Sequence, residues 1–399
     1  MSQAVRIERI SSGEALKALR PEWDALLGAC PGHALAVTPL WMGSWWEVYG
    51  SGRELCLLTA REPGGRLVGV APLHLGETRH RGMLPFRRLQ LLGAGEPQSD
   101  LIDSDYLDFI VDPQWEPLVT QRFGVYLFGQ LRDSWDELIL AHVPAESPRL
   151  GLLADAAGGA GLKCEEAERR AGVRIPLPET WEALLAQLDR ERRKSLLRRR
   201  RRFAEAGTVA FDWDVTPANF EERWRALVDL HQRRWQALGR PGCFSSDRFV
   251  QFHRRVASEL APRGGLKIGL LRLDGRPIAG DYYYVYDGRV YAYQAGLDPE
   301  EGPRLSAGTV CISFGIETAI GAGLREYDFL KNVHSYKADW SPERREQVTL
   351  RVARPGAREQ LRTTLESGIR LVRPLRRRLA ATLDRGAPAG PPPGGRSGG

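Results

Sequence analysis

The stretch that decides the fold runs from residue 289 to residue 330 and reads RVYAYQAGLDPEEGPRLSAGTVCISFGIETAIGAGLREYDFL. Arg289–Ala295 has the alternation and the aromatic content typical of a strand, and Leu324–Leu330 is predicted as a second, shorter strand. Between them, Gly308–Gly323 is mostly apolar over a length typical of a buried helix. A strand, a helix and a strand in this order form a βαβ crossover, so the two strands are expected to be parallel neighbours.

Two helices and a β-meander are predicted before this crossover. Apolar residues recur at helical spacing over 220–238 and 249–260, and Gly and Pro residues end each run. Asp-Gly pairs at 274–275 and 287–288 are favoured in tight hairpin turns, because both positions there adopt positive φ. The strands that these turns connect to Arg289 are Leu266–Leu273 and Pro277–Tyr286. The order predicts an α/β (α+β) fold with a mixed central sheet flanked by helices.

The first half of the chain repeats part of this pattern. Leu55–Ala60, a Pro-Gly-Gly turn and Arg66–Ala71 resemble the hairpin of 266–281, and Tyr106–Ile110 resembles 327–330. Such internal similarity predicts two copies of one fold, although any two short hairpins resemble one another. Residues 76–105 show no glycine-led helix and are predicted as loop, so a ligand-binding loop is expected in the second copy only.

Composition excludes several classes of protein. Hydrophobic residues make up 42% and charged residues 27%, which suits globular cores and excludes collagen, coiled coil and wholesale disorder. The five cysteines are scattered and form no CxxC pair, so neither a disulfide framework nor a metal site is expected. We recognise neither a signal peptide nor a membrane-spanning run, and a cytoplasmic protein is therefore expected.

The net charge of +7 is concentrated in two segments. Residues 351–399 and Arg190–Arg202 each carry a net charge of +8, which leaves −9 for the rest of the chain. Consecutive arginines at 198–202 surround a helix on all sides, so a solvated helix is favoured over contact with an anionic substrate or tRNA. Specific DNA recognition is not expected, because no nucleic-acid-binding motif accompanies the run.

The start of the predicted helix after Arg289–Ala295 is a candidate anion site. Free backbone amides and the helix dipole favour an anion at a helix N-terminus, and small residues let a phosphate approach the backbone. A plain N-cap by Ser306 or Thr309 would explain the same residues without a ligand.

The ordered set of motifs over about 175–342 resembles the GNAT acyltransferase superfamily. More narrowly, the set is similar to the CelD/BcsL-type acetyltransferases associated with bacterial cellulose and exopolysaccharide biosynthesis. The residues that carry this resemblance are Arg192–Arg198, Gly275–Ala279, Arg289–Pro299, Ser306–Gly308, Tyr327–Phe329 and Tyr336–Trp340. The resemblance implies tandem GNAT folds that use acetyl-CoA or another acyl-CoA as co-substrate and no metal.

The resemblance also implies which residues hold the co-substrate. In GNAT folds the pyrophosphate lies at the loop and helix N-terminus after the fourth strand, and the pantetheine arm pairs with that strand. The implied pyrophosphate residues are Arg304, Leu305, Ser306, Ala307, Gly308 and Thr309. The implied pantetheine and thioester contacts are the backbones of Tyr293, Gln294 and Ala295.

Four residues are candidates for proton transfer or substrate contact. His334 could act as base, since the acidic residues common in relatives are absent from 331–335 here; an exposed loop histidine is the alternative. Tyr336 could protonate the departing thiolate or simply pack. Lys337 could bind an anionic substrate or a peptide carbonyl, or pair with Asp339. Asp281, within an apolar strand, is expected to face a cleft if strand alternation holds.

The resulting hypothesis is direct N- or O-transfer of an acyl group to a sugar or polysaccharide precursor, or to another small acceptor. A FemABX-like aminoacyl-tRNA-dependent transferase and a non-catalytic module of an envelope-synthesis complex are the alternatives. The expected divisions are a degenerate N-terminal domain (1–165), the acyltransferase domain (166–352), an amphipathic Arg-rich helix (353–383) and a disordered tail (384–399). The Arg-rich segment suggests peripheral contact with anionic membranes.

Overall fold

The computed structural model describes residues 5–367, in which helices pack on mixed β-sheets. The strands are β1 (Arg6–Ile10), β2 (Glu54–Leu55), β3 (Leu57–Arg61), β4 (Leu67–Ala71), β5 (Leu73–His80), β6 (Leu84–Leu91), β7 (Ile110–Val111), β8 (Glu137–Pro144), β9 (Lys163–Pro176), β10 (Val209–Asp214), β11 (Leu266–Leu273), β12 (Arg276–Tyr286), β13 (Arg289–Leu297), β14 (Glu326–Lys331) and β15 (Arg344–Ala353). The α-helices are α1 (Gly13–Ala18), α2 (Arg20–Ala29), α3 (Pro39–Tyr49), α4 (Glu116–Val125), α5 (Pro148–Gly159), α6 (Trp181–Gln187), α7 (Arg190–Ala204), α8 (Phe220–Ala237), α9 (Asp247–Leu260), α10 (Glu301–Leu305), α11 (Ala307–Gly321) and α12 (Ser335–Ala338).

The second half of the chain forms the predicted meander and crossover. Strands β10 to β14 lie in chain order, and β13 pairs in parallel with β14, as the crossover predicts. Both Asp-Gly turns have positive φ at each residue, with 49° at Asp274 and 79° at Gly275 in the first. This backbone matches the twist of the hairpin strands.

The two halves exchange a strand. The eleven-stranded sheet has the order β10-β11-β12-β13-β14-β9-β15-β8-β6-β5-β2. Strand β9 follows the first half in the chain but pairs with β14 of the second, whereas β15 follows β14 and pairs with β8. Because β9 and β15 also pair with each other, the sheet is continuous across both halves. The boundaries expected at 165/166 and 352/353 therefore lie within paired strands and not in linkers.

The first half differs from its predicted pattern in two places. Residues 76–105, predicted as loop, contain most of the β5–β6 hairpin; its outer end is exposed on both faces, so it lacks the apolar alternation of a buried strand. The predicted match of Tyr106–Ile110 to β14 was also wrong. Tyr106 has a φ of 63°, and residues 106–109 form no strand. The strand that runs parallel to its neighbour in this half is β8, beside β6.

Helices cover both faces of the second half. Alternate residues of β12 point to opposite sides, so Tyr282 packs on Trp224 of α8, while Tyr283 faces α11. Gly315 of α11 lies so close to the Tyr283 hydroxyl that a Cβ would collide with it. This close approach seats α11 on the strands that form the site.

No helix within residues 5–367 is long and apolar enough to cross a membrane. Residues 357–367 are helical, which agrees with the start of the predicted Arg-rich helix. The rest of that helix and the tail at 384–399 lie outside the described residues.

Candidate active site

The site forms where β13 and β14 separate. Their parallel pairing ends at Tyr291 and Asp328, although β13 continues to Leu297 and β14 to Lys331. A bulge at Tyr293 shifts the register between β12 and β13 at the same point. The edge of β13 beyond Tyr291 therefore faces a gap with backbone groups that β14 does not pair, and such groups are available to a ligand.

Strand β14 turns away from β13 through two residues with left-handed backbone. Leu330 and Asn332 have φ values of 58° and 72°, and the Leu330 amide donates to Asp328 Oδ1 over 2.6 Å. A Cβ at Gly172 of β9 would collide with the Leu330 carbonyl, so only glycine permits this bend. Left-handed residues other than glycine or asparagine are strained and tend to occur at functional sites.

Lys337 stabilises the turned end of β14. Its Nζ donates to the carbonyls of Phe329 at 2.7 Å and Lys331 at 2.9 Å, and burial lowers its pKa to about 8. These carbonyls belong to the chain's own backbone, so the contact expected between Lys337 and a substrate stays a prediction. Asp339 pairs with Arg192 and not with Lys337.

The candidate anion site lies at the start of α11. The segment predicted as a loop contains the short helix α10, and Ser306, with a φ of 55°, joins α10 to α11. The Ser306 side chain makes no capping hydrogen bond, which argues against a plain N-cap. The first-turn amides belong to Ala307, Gly308 and Thr309, while the Leu305 side chain is buried and Arg304 is exposed.

The basic helix α7 packs beside this helix N-terminus. Arg199 donates to Thr309 Oγ1 over 3.1 Å, and Arg200 pairs with Glu317 at 2.6 Å and stacks over Phe314. The helix is anchored by the buried Leu196 and Phe203, and its remaining basic residues are exposed. The arginine run by itself does not show which side chain faces α11. Arg199 was therefore not predicted as a site residue.

Asp281 is buried on the α11 face of the sheet. It accepts a hydrogen bond from the Tyr283 hydroxyl at 2.9 Å, and burial raises its pKa to about 6. Burial and the nearby Asp281 charge raise the pKa of Tyr336, so the two groups are electrostatic neighbours. Asp281 therefore lies near the gap but is only 7% exposed.

His334 and Tyr336 lie at the surface beside the turned end of β14. Their rings stack with centroids 6.0 Å apart, and the His334 carbonyl accepts the amides of Lys337 and Ala338 at the start of α12. Tyr336 is 47% exposed. The rings of His334 and Tyr336 therefore lie together at the surface, while the buried Lys337 side chain contacts the carbonyls of β14.

The side chains of Tyr293 and Gln294 in β13 are directed away from α11. The Tyr293 hydroxyl donates to the Ile102 carbonyl over 2.6 Å, and Gln294 contacts His231 of α8. The side chains of Tyr293 and Gln294 are therefore occupied away from the gap, which leaves their backbones at its edge. Lys331, which was not predicted as a site residue, pairs with Asp103 at the rim of the gap. Burial lowers the pKa of Lys331 to about 8. No cluster of metal-binding side chains occurs within residues 5–367.

Residues 190–338 match the family described as acetyltransferase (GNAT) domain. No curated protein sequence matches the chain significantly. FemX is similar in structure, with a TM-score of 0.56 at 11% identity over 87% of this chain and 96% of that one. A C-terminal domain described as that of a lysylphosphatidylglycerol synthetase from Agrobacterium fabrum has a TM-score of 0.50 at 11% identity, over 90% and 97% of the two chains. A protein of unknown function from Bacteroides thetaiotaomicron has a TM-score of 0.50 at 11% identity, over 87% and 100%.

The two kinds of similarity carry different conclusions. At these identities the solved structures show the fold alone, and they extend it over both halves of the chain. The family match covers residues 190–338 in the second half of the chain and supports an acyltransferase. The architecture is a tandem GNAT-type α/β fold, as the sequence predicts.

Proposed function

We propose that this protein transfers an acyl group, acetyl in the simplest case, directly from coenzyme A to an amine or hydroxyl group. The observation that carries the proposal is the unpaired edge of β13 opening beside the first turn of α11. A thioester and a pyrophosphate joined by an extended arm need an extended backbone edge and an anion site in this arrangement. A coenzyme A donor also implies that the protein acts in the cytoplasm, where coenzyme A thioesters are made.

The anion site supplies binding energy to the donor. The amides of Ala307, Gly308 and Thr309 would donate to the pyrophosphate, with Arg304 and Arg199 adding positive charge at its edge. The backbone amides of β13 from Tyr293 to Ala295 would donate to the thioester carbonyl oxygen, on which negative charge develops during transfer.

Proton transfer falls to the residues around the gap. His334 would accept the proton of the attacking amine or hydroxyl, and Tyr336 would donate a proton to the departing thiolate. Lys337 would act as a positioning residue, because its ammonium is held by the carbonyls of Phe329 and Lys331. Asp281 is the second candidate base, since its raised pKa lies close to neutrality.

The acceptor we propose is a sugar or polysaccharide precursor of the kind used in cellulose or exopolysaccharide biosynthesis. This assignment rests on the resemblance of Arg289–Pro299 and Tyr336–Trp340 to the CelD/BcsL type. The space between the two halves offers room for it beside β13.

One observation favours a second candidate, an aminoacyl-tRNA-dependent transferase. The exposed basic residues of α7 flank the anion site, and such a face binds the phosphates of a nucleic acid through counterion release. The similar fold of FemX agrees with either donor.

A binding experiment distinguishes the two donors. Calorimetry of the purified chain with acetyl-CoA and with charged tRNA should show binding of acetyl-CoA that Gly308→Glu weakens at least tenfold. Gly321→Glu, at the other end of α11 where a side chain has open space, is the matched control and should bind normally. If the chain binds charged tRNA but not acetyl-CoA, the second candidate is supported. If it binds neither donor, a non-catalytic module is supported.

A further inference from the structure

A second cavity, of about 300 Å³, lies where the two halves of the chain meet. It is lined by the start of α5, including Ser147 and Arg149, and by Arg289 and Tyr291 of β13. Tyr291 is the last residue of β13 that pairs with β14, so the cavity lies on the paired side of the separation point. It is therefore distinct from the unpaired edge assigned above to the acyl donor.

Three donor groups that line this cavity are buried without a hydrogen-bond acceptor. Ser147 Oγ and Arg149 Nε make no hydrogen bond within residues 5–367, and the Tyr291 hydroxyl has only the donating Arg289 guanidinium beside it, although the three residues are only 8%, 8% and 4% exposed. Buried donors are nearly always satisfied, since leaving one unpaired costs free energy. Three such groups around one cavity indicate a bound group that accepts hydrogen bonds.

One cation at the cavity, Arg289, has no close carboxylate and is available to a negative ligand. Asp108 and Glu116 both line the cavity, and both pair with Arg149, at 2.8 and 2.7 Å. Arg289, in contrast, lies 3.7 Å or more from the carboxylates of Asp287 and Glu326. The third lining carboxylate, that of Glu146, belongs to an exposed residue, and Arg345 is already paired with Glu326 at 2.7 Å and Asp328 at 3.0 Å. Arg289 is therefore the cation that a ligand in the cavity would neutralise.

The helix α5 adds to this preference. It has twelve residues, its N-terminus borders the cavity, and its N-cap Ser147 makes no side-chain capping bond. The partial positive charge of the helix N-terminus therefore lies at the cavity, beside the Ser147 hydroxyl, which has no hydrogen-bond partner within residues 5–367.

We propose that this cavity binds a small oxyanion, a carboxylate or phosphate group, through Ser147, Arg149, Arg289 and Tyr291. A volume of 300 Å³ equals that of roughly ten water molecules, which suits a small metabolite. Because α5 belongs to the first half and Tyr291 to the second, the ligand also stabilises the contact between them.

The test is calorimetry and thermal unfolding of the full chain with two probes, inorganic phosphate and acetate, in a buffer free of other oxyanions. At least one probe should bind and raise the melting temperature. Tyr291→Phe and Ser147→Ala should each weaken binding about tenfold, the effect expected for a lost hydrogen bond to a charged group. Without the probe Ser147→Ala should not lower the melting temperature, since it removes an unpaired hydroxyl.

Two control variants locate the bound probe. Thr120→Val removes another buried hydroxyl that has no partner within residues 5–367, outside the cavity, and should leave affinity unchanged. Because the start of α11 is itself proposed to bind phosphate groups, the titrations are repeated in Gly308→Glu, in which binding to the cavity should remain. Binding of only one probe would identify the ligand group as carboxylate or phosphate.

Three outcomes would overturn the proposal. They are the absence of binding of both probes at millimolar concentration, unchanged affinity in Tyr291→Phe and Ser147→Ala, and loss of binding in Gly308→Glu.

Discussion

The Tyr106 hydroxyl donates to the carboxylate of Asp328 across the contact between the two halves, with distances of 2.9 and 3.1 Å to its oxygens. The two residues are 222 positions apart in the chain, and both are buried. Arg345 completes the group by pairing with Asp328 at 3.0 Å and lying over the Tyr106 ring. Asp328 therefore holds the two halves together.

Tyr106→Phe should destabilise the protein by about 1–3 kcal/mol, because it leaves a buried carboxylate with one partner fewer. Denaturant unfolding followed by fluorescence measures this change. Tyr126→Phe removes a hydroxyl that makes no hydrogen bond within residues 5–367 and should change stability little. Equal stability of the Tyr106 variant and the wild type would show that the contact contributes nothing.

Gly308→Glu should weaken coenzyme A binding at least tenfold, a loss of about 1.4 kcal/mol or more. The new carboxylate would place volume and like charge in the first turn of α11, where the phosphates are expected. Isothermal titration calorimetry provides the measurement, with Gly321→Glu as the control. A folded Gly308→Glu protein with normal affinity would remove this helix from the donor site.

His334→Ala should lower turnover by about a hundredfold while leaving coenzyme A affinity unchanged, since a general base acts on the transition state. Steady-state kinetics with calorimetry separates the two effects. Val333→Ala changes an exposed neighbour in the same loop and should retain activity. If His334→Ala keeps the wild-type rate, Asp281 becomes the base to test.

Asp281→Asn should stabilise the protein near neutral pH by up to about 3 kcal/mol, because burial raises the Asp281 pKa from 3.8 to about 6. The folded state holds this proton more tightly than the unfolded state. The aspartate therefore costs nothing below pH 3.8, and its cost grows as the pH rises to about 6. Unfolding measured at pH 3.5 and 7.5 should show the gain at the higher pH only. A gain equal at both values would contradict the assigned titration.

Lys337→Met should lower turnover by up to about a hundredfold with little change in coenzyme A affinity. Its loss frees the carbonyls of Phe329 and Lys331, and small displacements of reacting groups are costly to catalysis. Lys337→Arg keeps a buried cation and should recover part of the activity. A rise in the Michaelis constant for the acceptor alone would instead indicate direct contact between Lys337 and the acceptor.

The sequence by itself determined the elements that form the donor site. The strand, helix and strand over 289–330 are contiguous, and their apolar spacing and the Asp-Gly turns are local signals. Right-handed crossover geometry then makes β13 and β14 parallel neighbours without further information. The start of α11 was predicted within one residue for the same reason.

Only the tertiary structure decided which distant residues meet. The exchange of β9 and β15 depends on pairing between segments far apart in the chain, and the local pattern of a strand does not name its partner. The left-handed turn at Leu330 and the use of Lys337 to hold β14 carbonyls follow from that pairing. The cavity between Arg149 and Tyr291 likewise exists only because the two halves pack together, since burial and hydrogen-bond partners are properties of the assembled fold.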